Sequence, residues 1–272
     1  MHTFHPPLLN PNLSVTYDAS DLDTNLAATT VSTLGVTQAA VWDVYVLSSV
    51  ILGASTTSLW GLDFNGMPAG SIVRLIVQGR IQGAGGAGGD AASSTSQNFA
   101  SGGGGGGQGS SPGAAGQGGV EVGGDTTSEG TAGTTEAAGV GGVWDTGPMS
   151  RDYLTDDGVT QHGEDGGAAL RTLNIETYII NYGEIFGGGG GGGAGGLSAG
   201  DLERWDGGDG GTAGQPGSDS EQTLGPPPGG NAPIRIVSGT GGAAGEAVQG
   251  NNVTFLQGGS SPNVEGAVTT WP

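Results

Sequence analysis

The chain has 272 residues, of which 62 are glycine and 13 proline, with a formal net charge of −20 and no cysteine. Its six basic residues are all arginine, so disulfides, thiol catalysis, Schiff-base chemistry and a Walker-type phosphate loop are excluded. The acidity repels nucleic acid and anionic membranes and is best tolerated where salt screens it.

Residues 1–40 are rich in Thr, Ala and Ser with weak periodicity, and read as an N-terminal arm or attachment segment. The opening MHTFHPPLLNPN has neither a basic nor an apolar leader region, so no signal peptide is expected. Strand patterning begins at residue 41 with VWDVYVLSSVIL, SLWGLDF and, after the turn NGMPAG, SIVRLIVQGRIQ. Residues 41–82 are therefore expected to form a β-strand module. The most apolar window, residues 41–54, is interrupted by Asp43 and too short to span a membrane. Nowhere is there a sustained 3.6-residue apolar period, which predicts an all-β chain with little or no α-helix.

Residues 83–249 are glycine-rich, with one strand-like interruption at 171–186, and residues 250–272 read as C-terminal strands. VQGRIQGAGGAGG, from residue 77, aligns with NYGEIFGGGGGGG, from residue 181, at an offset of 104. Gly79 falls on Gly183, Ile81 on Ile185 and, further on, Pro112 on Pro216. A conserved register is not what a flexible linker requires, and it points to duplication of a structured unit.

Glycine runs can form polyproline-II-like helices with three residues per turn and about 3.1 Å rise, so 187–193 would span about 22 Å. Without Cβ atoms such helices can pack closely enough to hydrogen-bond to one another. An isolated run cannot repay about 1–2 kcal/mol of ordering entropy per residue, whereas a bundle clamped by flanking strands can. The expected fold is thus all-β with a polyglycine-II helix bundle. Its rods fall at 83–89, 102–109, 116–124, 187–196, 207–214 and 239–245, and its tip loops at 90–101, 125–166, 197–206 and 218–232. Gly83, Gly85, Gly86, Gly187, Gly190 and Gly193 are the glycines expected to be structural.

The stretches at 42–89 and 165–193, and more weakly 250–268, resemble the glycine-rich receptor-binding proteins of bacteriophage tail tips and tail fibres, including adhesins of the polyglycine-sandwich type. The resemblance implies a non-enzymatic virion component, assembled in the host cytoplasm and located at the tail tip or fibre. Its loops would bind a bacterial surface receptor, either an outer-membrane protein or a polysaccharide. Other phage tail proteins are implied as partners. Trimers are common in that setting, although nothing in the sequence fixes three.

Binding residues concentrate on loops held by a rigid frame, and Trp, Tyr and Arg are enriched at hot spots. The receptor-contact candidates are accordingly Phe99, Trp144, Arg151, Tyr153, Arg204 and Trp205. The alternatives are a tail or assembly protein without receptor contact, a glycine-rich ice-binding protein, and a polysaccharide hydrolase or lyase.

Other motifs fail on context. GAGGAG at 83–88 fits a dinucleotide fingerprint but is followed by no amphipathic helix. The acidic loop 151–165 offers Asp152, Asp156, Asp157 and Glu164 to Ca²⁺, but without the EF-hand ligand order. His162 has no nucleophile elbow to serve. No cofactor, metal or catalytic residue is expected, nor any nucleic-acid contact or membrane insertion.

Overall fold

The computed structural model describes residues 12–90, 104–117, 129–142, 162–194, 204–223, 239–259 and 263–270. The chain winds through three parallel sheets, giving one strand to each on every turn. The first turn is β1 (Asn12–Tyr17), β2 (Asp21–Leu22) and β3 (Thr24–Asn25), followed by a short helical segment at 27–34 that ends on Gly35 at φ 66°. The second is β4 (Val41–Val46), β5 (Ile51–Gly53) and β6 (Leu62–Asp63). The third is β7 (Ile72–Val77), β8 (Arg80–Gln82) and, after a glycine-rich excursion, β9 (Leu170–Thr172).

The fourth turn begins with β10 (Glu176–Asn181) and β11 (Glu184–Phe186). A second excursion holds the antiparallel pair β12 (Arg204–Asp206) and β13 (Glu221–Thr223), and β14 (Val248–Gly250) completes the turn. The fifth is β15 (Val253–Gln257), β16 (Val264–Glu265) and β17 (Val268–Thr270). The sheets run β1-β4-β7-β10-β15, β16-β11-β8-β5-β2 and β17-β14-β9-β6-β3.

Alternation along the strands turns every second side chain inward, where the turns stack like on like. Val44, Leu75 and Ile179 form one fully buried ladder, and Leu52, Ile81 and Ile185 another. Each such side chain contributes about 1.5–3 kcal/mol through burial. The offset of 104 is the pairing register itself: Ile72 faces Glu176, Val77 faces Asn181 and Ile81 faces Ile185 across adjacent parallel strands.

An all-β chain with very little helix is what the sequence predicted. The sheets, however, run across the boundaries expected at 40, 82 and 249. Residues 12–25 and 250–270 supply the first and last turns of the same coil, and in the first of these only β1 is long enough to alternate, β2 and β3 having two residues each.

Both excursions leave from a strand of the second sheet, β8 or β11, and return to a strand of the third, β9 or β14. Their glycine segments bond to one another with a period of three. In the run 187–193, Gly188 and Gly191 donate to Gly167 and Glu164, Gly189 and Gly192 to Gln108 and Gly105, and Gly190 and Gly193 to Gln215 and Ser218. The run accepts in the same rhythm, from Gly86 and Gly89, from Gly211 and Gly208, and from Gly245 and Gly242, all at 2.7–3.1 Å.

Six segments thus surround 187–194, each bonded to the next around the ring. Residues 104–110 are enclosed in the same way. Among the described residues the array has three rows: 163–167, 83–89 and 111–116; then 239–245, 187–194, 104–110 and 130–134; then 215–220, 207–214 and 137–142.

Two of these segments, 130–134 and 137–142, and most of a third, 163–167, fall inside the stretch expected to be a tip loop. In 130–142 glycine is needed at Gly133, Gly139 and Gly141, where a Cβ would overlap a neighbouring carbonyl, and Thr, Ala and Val stand between them, so composition alone does not mark these arms. A Cβ on Gly190 would overlap the Gly242 carbonyl. One on Gly83, Gly85, Gly86, Gly187 or Gly193 would overlap the carbonyl of Gly167, Gly107, Glu164, Gly245 or Gly239. Gly190→Val is expected to cost about 3 kcal/mol or more through overpacking, read as a large fall in melting temperature. An unchanged melting temperature would mean that this run does not pack.

Candidate functional site

The direction of each segment decides where its connections lie. Residues 83–89 and 187–194 run outward from the coil, and 104–110 runs back to it, where the Ser110 hydroxyl donates to the carbonyls of Ala54 and Gln82 at 2.8 and 3.1 Å. The turns on the coil side are tight. They fall at 110–111, at 134–137 and at 214–215, the last on Gly214 with φ 64°.

The far side is different. The described chain leaves there at Asp90, Gln117, Gly142, Ala194 and Thr223, and re-enters at Gly104, Glu129, His162, Arg204 and Gly239. Every long connection of the array therefore starts and ends at the face away from the coil.

Two of the predicted contact residues are described. Arg204 and Trp205 lie in β12, paired with Thr223 and Gln222 of β13. Phe99, Trp144, Arg151 and Tyr153 lie outside the described residues, as does the acidic loop up to residue 161. His162 is described: its Nδ1 accepts from the Thr240 N–H at 3.2 Å, which ties two distal ends together.

Part of the acidity has a local role. Outer segments have N–H groups with no neighbouring segment to accept them, and carboxylates take that place. Asp90 accepts from the Gln117 N–H, Asp209 from Gly141, Asp219 from Gly241 and Asp165 from Ala243, at 2.7–2.9 Å.

Three arginines of the coil are each paired with carboxylates. Arg74 grips Asp43 through two bonds of 2.5 and 2.6 Å. Arg171 grips Asp63 in the same way, at 2.8 and 2.5 Å, and lies 3.5 Å over the Trp60 ring. Arg80 holds two acids, Glu184 on the neighbouring strand at 2.5 Å and Glu136 in the 134–137 turn at 2.7 Å. Burial works against the Arg80 charge, but the bonds to Glu136 and Glu184 outweigh it and hold the guanidinium above its usual range.

Beside Arg80, the amides of Gln82 and Gln108 donate to the Thr135 carbonyl at 3.3 and 3.1 Å, and Gln108 Oε1 accepts from the buried Ala213 N–H at 3.0 Å. Sequence reasoning passed over Arg80, Gln82, Gln108 and Glu136. The one available signal was a glutamine inside a glycine run.

Residues 12–100 match the family model of the phage tail fibre adhesin Gp38. The resemblance to phage tail-fibre adhesins holds over those residues. The setting that goes with it is the tail fibre of a virion. The match covers the first two turns, β7 and β8, and the first glycine segment. A crystal structure of the gp37-gp38 adhesin tip complex of the bacteriophage S16 long tail fiber contains a chain 15% identical to this one. The alignment has a TM-score of 0.44 and covers 96% of this chain and 82% of that one. None of the curated proteins matches. Among the described residues no helix is long and apolar enough to cross a membrane.

Replacing Gln108 by Leu would leave the Ala213 N–H buried without an acceptor. Chemical denaturation of Gln108→Leu is expected to show a loss of about 1–3 kcal/mol.

Proposed function

We propose that the protein is a non-enzymatic adhesin of a phage tail fibre, which recognises a bacterial surface receptor through the connections at the distal face of its glycine array. The observation that carries this reading is the asymmetry of the array: short turns against the coil, and both ends of each long connection at the opposite face. Loops of unconstrained sequence on a rigid frame are a general solution for recognition. The receptor is an outer-membrane protein or a polysaccharide, and Phe99, Trp144, Arg151, Tyr153, Arg204 and Trp205 are its proposed contacts.

The rigid frame is, on this reading, a bundle of polyglycine-II helices. Support comes from donation at every third residue in 187–193 and from the six-fold surround, both of which fit three residues per turn. The coil is the proposed attachment module for other tail proteins. Among the described residues β1, β2 and β3 each stand at the end of a sheet, and a free sheet edge is a template for further strand pairing.

The double variant Trp144→Ala, Trp205→Ala is expected to keep the parent's melting temperature and to weaken saturable binding to host cells by tenfold or more, about 1.4 kcal/mol. Undiminished binding by the folded double variant would remove these two residues from the recognition surface.

A further inference from the structure

The hairpin 130–142 stands apart from the rest of the array. Its two arms bond to each other, Thr131 N–H to the Val140 carbonyl and Thr134 N–H to the Ala137 carbonyl, and they occupy the outer corner of the rows beside 104–110, 111–116 and 207–214. In sequence it is remote from the coil, reached from β8 only through 83–129 and connected onward to β9 only through residues beyond 142. What joins it to the coil directly is its turn. The Thr134 hydroxyl accepts from the N–H groups of Glu136 and Ala137 at 3.2 and 2.8 Å, which fixes the turn and directs Glu136 to Arg80.

Arg80 is itself immobilised. Its Nε is held by Glu184 on the neighbouring strand, its guanidinium lies 5.6 Å from the Phe186 ring centroid, and its side chain is 17% exposed. The planar fork lets one side chain serve both carboxylates, which an ammonium cannot do with the same geometry.

We propose that Arg80 is a positioning residue for surface recognition: through Glu136 it fixes the hairpin 130–142, and so fixes the distal points from which the chain continues into 118–128 and 143–161. This rests on the recognition reading above, because the second of those stretches holds Trp144, Arg151 and Tyr153. A role in overall stability makes a different prediction. Glu136 is 66% exposed, and exposed ion pairs add little to global stability. A positioning role should therefore appear in easier opening of 130–142 and in weaker binding by chain that is still fully folded at the temperature of the assay.

The test is Glu136→Ala in the full chain, with Glu176→Ala as a control that removes the same charge from β10 in the first sheet. The melting temperature should fall by about 5 °C or less, since a bond broken in local opening is broken in global unfolding too. Amide exchange should rise about tenfold in 130–142, which opens locally and exchanges faster than 187–193 in parent and variant alike. Binding to host cells should weaken about fivefold, with an intermediate loss for Arg80→Lys and none for Glu176→Ala.

Unchanged exchange in 130–142 would overturn the clamp. Faster exchange with undiminished binding would overturn its role in recognition. A parent chain that binds no cell would overturn the recognition reading and the positioning role with it, while the exchange data would still report separately on the clamp.

Discussion

Everything distinctive in this molecule depends on how closely backbones can approach when there is no Cβ between them. In the enclosed run 187–193 each residue donates to one neighbour and accepts from another, and the neighbours change with a period of three. A side chain on any one of these residues would occupy the place of a carbonyl oxygen in the next segment. The constraint is therefore steric first and energetic second. Each bond contributes only about 0.5–1.5 kcal/mol net, against an ordering cost of similar size per residue. The array gains its margin by enclosing segments on all sides and by fixing where they begin.

The coil supplies that fixing. Parallel pairing of β8 with β11 holds Ile81 opposite Ile185, so the two glycine excursions start one strand apart and in register. This is why a duplication can be read at an offset of 104: each copy is one turn of the coil carrying one insertion. The coil has its own economy, with apolar ladders inside and arginine–carboxylate pairs outside. Arg80 belongs to both parts, since it stands on a strand of the coil and bonds to the array. The array in turn needs something at its outer surfaces to accept the N–H groups that face no neighbour. Asp90, Asp165, Asp209 and Asp219 do this, which gives part of the acidic composition a structural reason.

The sequence shows some of this plainly and hides the rest. Six-residue strands such as β4, β7 and β10 alternate clearly enough to be read, and the glycine run after Ile185 announces itself. Two-residue strands such as β2, β3 and β16 carry no period, so the coil's three-sidedness is invisible without the pairing, and the first turn offers only β1, whose alternation leaves no residue fully buried. The outer segments 130–134 and 137–142 are missed for a different reason. They face solvent on one side, tolerate Thr, Ala and Val there, and keep buried glycine at 130 and 133 and at 139 and 142, three residues apart within each arm. A search for a period of three in glycine, rather than for glycine content, would have found them. The distal grouping of Arg204 and Trp205 with the other connections follows from segment direction, which only the hydrogen bonds give. Glu136 could not have been found at all from its neighbours, because its partner lies 56 residues away on β8.

The most direct test of the account is amide hydrogen exchange on the glycines of 187–193, resolved residue by residue and compared with the core strands β7 and β10. The account predicts that these glycines exchange as slowly as the strands, opening only with the global transition, because each N–H is held by a separate neighbouring segment. Exchange at the rate of an unfolded chain, in a protein whose strands remain protected, would show that the run is a tether. The array, and the distal face built on it, would then not exist.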